Sequence, residues 1–241
     1  MTLKVLKGES MTPEDLFSKK LSLGKPSETK KNQGLSRAWI RCPSGRRVDL
    51  LEPSPLDIEI TDIALSLSRI SRWAGMTATP YGFSVAQHSV LVVKIMEWML
   101  DTTPSFKTMI KKSGLSKKHW LLAGLLHDGA EAYLGGDLCG PAKANMSDAG
   151  YRNMEDALEK AIFIRAGLPA ELPTDLRKVM KYADRASAYA EAVLIVGFTP
   201  DEAEQFFGIR TPLKDHAFLD TLSSDEAMSA YLSLYKRLKL V

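Results

Sequence analysis

Cysteine is scarce in this chain: two among 241 residues, Cys42 and Cys139, far apart in sequence and without metal-type spacing. Disulfide frameworks use more cysteines in shorter chains, so the pair reads as reduced thiols in a cytoplasmic protein. Long hydrophobic runs are missing too. Nothing approaches the ~18 apolar residues that span a bilayer, and the N-terminus has no apolar core of signal-peptide length. The glycine patterns of P-loops and dinucleotide folds do not occur. An excess of one charge is also lacking once position is considered. The formal +3 belongs to residues 1–35, where Lys4, Lys7, Lys19, Lys20, Lys25, Lys30 and Lys31 outnumber Glu9, Glu14, Asp15 and Glu28. Residues 36–241 balance, which argues against a helical domain that binds nucleic acid through a basic body.

What is present is an ordinary globular composition, 45% hydrophobic and 25% charged, in a chain long enough for a substantial core. Residues 18–36 are rich in Ser, Lys and Gly with no apolar face, so 1–36 reads as a flexible basic arm and 37–241 as the folded domain. Two β-rich runs around Pro43-Ser44-Gly45 predict a small hairpin over 38–51. From there the pattern is helical, over 61–73, 84–100 behind Ser84, 116–134 behind Ser116, 149–166, 174–197 and 224–238. The fold class expected is all-α with a small N-terminal β-hairpin. The C-terminal stripe Met228, Tyr231, Leu232, Leu234, Tyr235 and Leu238 suits the core better than an interface.

Histidine is scarce as well, four in all, which makes its placement informative. His127 and Asp128 are adjacent and follow the apolar run from Leu121 to Leu126. A buried carboxylate is costly, and a metal ion is one of the few things that offsets it; a helix that simply surfaces there is the competing reading. His88 opens another apolar helix, and Asp184 falls on or beside the apolar face of a third. Together they would make a two-imidazole, two-carboxylate site suited to Mn, Fe, Co or Zn. Glu131 lies four residues after His127 and three after Asp128, so a continuous helix puts all three on one face. A carboxyl beside a metal is placed for general acid–base work, whereas the plain alternative is a surface glutamate. Gly129, unfavourable inside a helix, fits a close approach at that point.

A His, then an adjacent His-Asp pair, then a late helical Asp resembles the HD-domain superfamily of metal-dependent phosphohydrolases over residues 58–196. His127-Asp128-Gly129-Ala130-Glu131-Ala132-Tyr133-Leu134-Gly135, Ser71-Arg72-Trp73 and Val85-Ala86-Gln87-His88-Ser89 are similar to segments of the bacterial HD-domain 5'-deoxynucleotidases and their relatives. The resemblance implies an HD-domain helical bundle and one divalent metal ion (Mn, Co, Fe, Mg or Zn) on His88, His127, Asp128 and Asp184. It also implies Glu131 assisting catalysis beside Asp128, Arg72 on phosphate, Trp73 lining a nucleotide pocket and Asp137 on the sugar. Lys143 offers a second phosphate contact.

Two spacings depart from the family pattern, each one residue longer: Leu134-Gly135-Gly136-Asp137, and the interval from Arg72 to His88 around Pro80-Tyr81-Gly82. His119 and His216, the remaining histidines, do not supply a second metal site. The implied partner is a small nucleotide, with no nucleic acid and no membrane, and homodimerisation is a family-level expectation. The activity expected is hydrolysis of (deoxy)nucleoside 5'-monophosphates to nucleoside and phosphate. A triphosphohydrolase on the same scaffold and a non-catalytic nucleotide-binding HD module are the alternatives.

Overall fold

The computed structural model describes residues 38–136, 149–209 and 219–240, so Asp137, Cys139, Lys143, His216 and the 1–36 arm lie outside the described residues. The expected hairpin forms from β1 (Trp39–Arg41) and β2 (Arg47–Asp49), antiparallel with Ile40 opposite Val48. Pro43-Ser44-Gly45 makes the turn, with the Gly45 N–H donating to the Cys42 carbonyl at 2.9 Å. Asp62 anchors this turn to the helices by accepting from the backbone N–H of Ser44 at 3.0 Å and from its hydroxyl. Among the described residues the remaining named elements are helical, and one isolated bridge joins Ser71 to Ser84.

α1 (Ile60–Leu67) is shorter than the 61–73 pattern predicts. After Leu67 the chain leaves the helix because it finds a backbone partner elsewhere. Ser71 bridges Ser84, the Arg72 N–H donates to the Phe83 carbonyl at 2.8 Å, and the Val85 N–H donates to the Ile70 carbonyl at 3.0 Å. This short extended pairing carries Arg72 and Trp73 to the start of α2 (Val85–Thr102). The Ser84 hydroxyl caps α2 by accepting from the Gln87 N–H, as the sequence suggests.

α2 is the central helix, packed against α4 (Lys117–Leu126), α7 (Thr174–Glu191) and α9 (Ser224–Leu238). Between them run α3 (Pro104–Ser113), α5 (Glu131–Leu134), α6 (Ala149–Arg165) and α8 (Pro200–Phe207). Neither α3 nor α8 stands out in the sequence pattern, because each buries little apolar surface. Ser116 and His119 form the capping box of α4, and Ser223 and Glu226 that of α9. The C-terminal stripe serves the core: Tyr231 and Leu238 are buried, and Met228, Leu232, Leu234 and Tyr235 pack against it.

The expected continuous helix over 116–134 is also broken. α4 ends at Leu126, and tight turns follow in which Gly129 N–H bonds back to Leu126 and Glu131 N–H to Asp128, at 2.9 and 3.1 Å. The cause is local crowding. A side chain on Gly129 would meet the Leu126 carbonyl at 2.9 Å and Ile162 of α6 at 3.1 Å. Glycine there lets the chain turn against α6 just where the His-Asp pair must face inward.

Candidate metal centre

Three elements bring the sequence-predicted residues together. His88 sits in the first turn of α2, fully buried. His127 and Asp128 occupy the turn after α4, and Asp184 lies mid-way along α7. α2 packs closely on α4 at Gly124, where a Cβ would run into the sulfur of Met96. The two imidazole rings stand 5.3 Å apart between centroids.

Each ring has one nitrogen committed. His127 Nδ1 lies 2.9 Å from the Gly124 carbonyl, which can only accept, so Nδ1 carries the proton. His88 Nδ1 lies 2.6 Å from Glu191 Oε1 and donates to it. The Ser187 hydroxyl donates to the same oxygen at 2.8 Å and lies 3.1 Å from His88 Nδ1. Both Nε2 atoms therefore present lone pairs to the interior, and both are buried without an aligned hydrogen-bond partner. Facing them are more lone pairs. Asp128 Oδ2 lies 3.5 Å from His88 Nε2 and 3.2 Å from His127 Nε2, while Asp184 Oδ1 lies 3.1 Å from His88 Nε2.

Ligand atoms of His88, His127 and Asp128 all fall within 4.8 Å of one another, a group that can hold one metal ion. Buried acceptors turned on one another need a shared cation, so the residues present fit a divalent metal. Without it, protons take that place. Burial and the Arg72 guanidinium oppose a charge on His88, yet Glu191 and Asp184 outweigh them and raise its pKa to about 10. Burial likewise works against charge on His127, and Asp128 beside it raises its pKa above the ordinary value. Asp128 itself, despite burial, is held well below the usual carboxylate range by the two imidazoles and Arg72.

Behind the cluster lies a residue that sequence reasoning missed. Glu191, the last residue of α7, is fully buried and serves His88, Arg72 and Trp73 at once. Arg72 Nε donates to Oε2 at 2.8 Å and the Trp73 indole N–H donates to the same oxygen at 2.9 Å. Burial alone would push the Glu191 carboxyl up; Arg72 and His88 on either side keep it far below its ordinary value. A signal existed: Asp184, Ser187 and Glu191 follow at i, i+3 and i+7, one stripe along α7.

Arg72 also extends Nη1 to 3.9 Å from Asp128 Oδ2, so it spans the carboxylate behind the cluster and the one inside it. Trp73 packs edge-on to Phe207 and tilted to Phe198, at centroid distances of 6.0 and 6.1 Å. Trp73 and Ala74 both take left-handed backbone, φ +58° and +52°, a conformation costing about 1–3 kcal/mol per residue. Bonding to Glu191 and packing on α8 hold them there.

Glu131 is buried at the start of α5, not on the surface. His119 caps α4 by accepting at Nδ1 from the Ser116 N–H at 3.2 Å, two turns before the cluster, and is half-buried. A cleft of about 320 Å³ opens beside the cluster, lined by His127, Glu159, Arg177, Met180, Lys181 and Asp184.

No protein-family model matches the chain. The uncharacterized protein RCAP_rcc00048 of Rhodobacter capsulatus is 42% identical over 179 residues, spanning 74% of this chain and 84% of the relative. The uncharacterized protein YfdR of Escherichia coli is 34% identical over 147 residues, 61% of this chain and 66% of that protein. Among solved structures, the cyanophage S-2L HD phosphohydrolase DatZ, bound to dA and one catalytic Zn2+ ion, covers 75% of this chain and 96% of its own. Its TM-score is 0.44 at 20% identity, a loose likeness.

Proposed function

Because the chain belongs to one family with the Rhodobacter capsulatus protein and joins His88, His127 and Asp128 in one metal-holding group, we propose that it is an HD-domain, metal-dependent phosphohydrolase. Its substrates in this reading are (deoxy)nucleoside 5'-monophosphates, cleaved to nucleoside and inorganic phosphate. The observation that carries the reading is the pair of buried, unpartnered Nε2 atoms set against Asp128 and Asp184. With Asp184 as fourth ligand the donors are two imidazoles and two carboxylates, which leave coordination positions for substrate.

A divalent ion there supplies Lewis-acid polarisation of a phosphoryl oxygen and lowers the pKa of water toward neutrality. The chain's own residues do the rest. Glu191 and Gly124 hold the two imidazoles in the tautomer that aims Nε2 at the ion. Arg72, with Nη1 near Asp128 Oδ2, meets phosphate bound at the cluster and offsets its charge. Glu131, a buried carboxyl three residues beyond Asp128, moves a proton toward the departing ribose oxygen.

The test is a product screen. Metal-free protein is reloaded in turn with Mn, Co, Mg or Zn and offered nucleoside mono-, di- and triphosphates. Inorganic phosphate released from the monophosphates is the expected result. Tripolyphosphate released from triphosphates would replace this reading with the triphosphohydrolase. Full metal-dependent turnover by Asp128→Ala would overturn it altogether.

A further inference from the structure

The charges around the cluster are already in balance before any substrate arrives. Among the described residues, the three carboxylates of Asp128, Asp184 and Glu191 meet one guanidinium, Arg72, in direct ion-pair or hydrogen-bond contact with the cluster. A divalent ion together with that guanidinium offsets the three. Arg72 is further tied by its Nε to Glu191 at 2.8 Å, so its charge is largely spent in the interior. A phosphate dianion entering the site therefore brings two charges, and Arg72, shared with Glu191 and Asp128, answers them only in part. Uncompensated charge in a partly buried site is strongly unfavourable, so positive groups must stand where the phosphate enters.

The cleft beside the cluster has them. His127 and Asp184 form the part nearest the metal position, and Arg177 and Lys181 line the same space. Of the four α7 residues lining it, the three charged ones, Arg177, Lys181 and Asp184, fall on one stripe at i, i+4 and i+7. At 1.5 Å of rise per residue, Lys181 stands about 4.5 Å along the axis from Asp184, and Arg177 about 10 Å. Both side chains are long enough to bring their charge back over that interval. Lys181 is exposed and has no ion-pair partner among the described residues. Arg177 is paired within the cleft, donating from Nη2 to Glu159 Oε2 at 3.1 Å on α6, which leaves Lys181 as the cation there without an ion-pair partner among the described residues.

The geometry points to Lys181, with Arg177 behind it, as the anion subsite that takes the substrate's phosphate oxygens turned away from the metal. The same stripe of α7 then runs from Glu191, which orients His88, through Asp184 at the metal, to the two cations at the mouth. This subsite rests on the phosphohydrolase reading for its substrate, but inorganic phosphate alone suffices to probe it.

Metal-loaded, full-length protein is titrated with inorganic phosphate by calorimetry, alongside metal content and nucleotide kinetics. For Lys181→Ala, loss of one charge-assisted contact weakens phosphate binding about tenfold and raises KM by a similar factor, with metal per chain unchanged. Lys181→Arg restores most of the affinity, and Arg177→Ala gives a smaller loss in the same direction. Wild-type phosphate affinity in both alanine variants would overturn the subsite, even if nucleotides are hydrolysed. Phosphate binding that depends on Lys181, in a protein that hydrolyses no nucleotide, would instead overturn the monophosphatase reading and leave the subsite standing.

Discussion

At the scale of single residues, the decisive fact is the division of labour between the two nitrogens of each histidine. His88 and His127 each spend Nδ1 on a fixed acceptor, Glu191 Oε1 and the Gly124 carbonyl, and keep Nε2 for the cluster. Glu191 is the residue on which most depends, because one buried carboxylate orients His88, pairs Arg72 and accepts from Trp73. Glu191→Gln keeps the shape and removes the charge. It takes from Arg72 one of the two carboxylates it meets and should cost about 1–3 kcal/mol of stability by denaturant titration. Its metal affinity, read by competition with a chelating dye, should fall about 10–100-fold. His127→Ala, which deletes a ligand outright, should abolish stoichiometric metal uptake; retention of one ion per chain would remove His127 from the ligand set. Of these residues, the sequence alone brings forward His88, His127, Asp128 and Asp184, because ionisable groups on apolar helices are conspicuous. Glu191 escapes notice because its partners, Arg72 and Trp73, lie on a segment more than a hundred positions earlier, and nothing local marks the meeting.

At the scale of elements, the site is a consequence of helix packing distances. Glycine at 124 lets α4 close on α2, and glycine at 129 lets the following turn close on α6. Gly129→Ala meets a backbone oxygen as well as Ile162, and should destabilise by about 1–3 kcal/mol. It should lower metal content too, since His127 and Asp128 sit on the turn it would displace. Equal metal content and an unchanged denaturation midpoint would show that the turn tolerates a side chain. Ser223→Ala is the contrasting case: loss of the α9 cap should cost about 1 kcal/mol and leave metal binding intact, as the Ser223 hydroxyl bonds to Glu226 and to no residue of the cluster. The starts of helices are legible because a cap is a local hydrogen bond, and Ser84 and Ser116 cap where the sequence places them. The ends at Leu67 and Leu126 are not, because partners distant in sequence compete for the backbone: Phe83 for Arg72, and α6 for the Gly129 turn.

At the scale of the whole molecule, metal and fold should be linked. An ion that binds only the native cluster stabilises by mass action, about 2.7 kcal/mol at a hundredfold excess over its dissociation constant. Chelator-treated protein is thus expected to melt at lower temperature and to recover with added Mn, Co or Zn; a midpoint indifferent to metal would contradict a site at the centre of the helices. Removal of residues 1–36, which carry the net charge of +3, should leave turnover and metal content as they were. No helix among the described residues is long and apolar enough to cross a membrane. The sequence by itself determined the helical class and the hairpin, and brought forward His88, His127, Asp128 and Asp184 as candidates, because hydrophobic period, turn chemistry and misplaced charge are all written locally. Only the tertiary structure decided that Glu191 joins His88 to Arg72 and that Lys181 lines the cleft beside the cluster. Charge compensation is settled by distances of a few ångströms between separate elements, and those distances exist only once α2, α4 and α7 have packed.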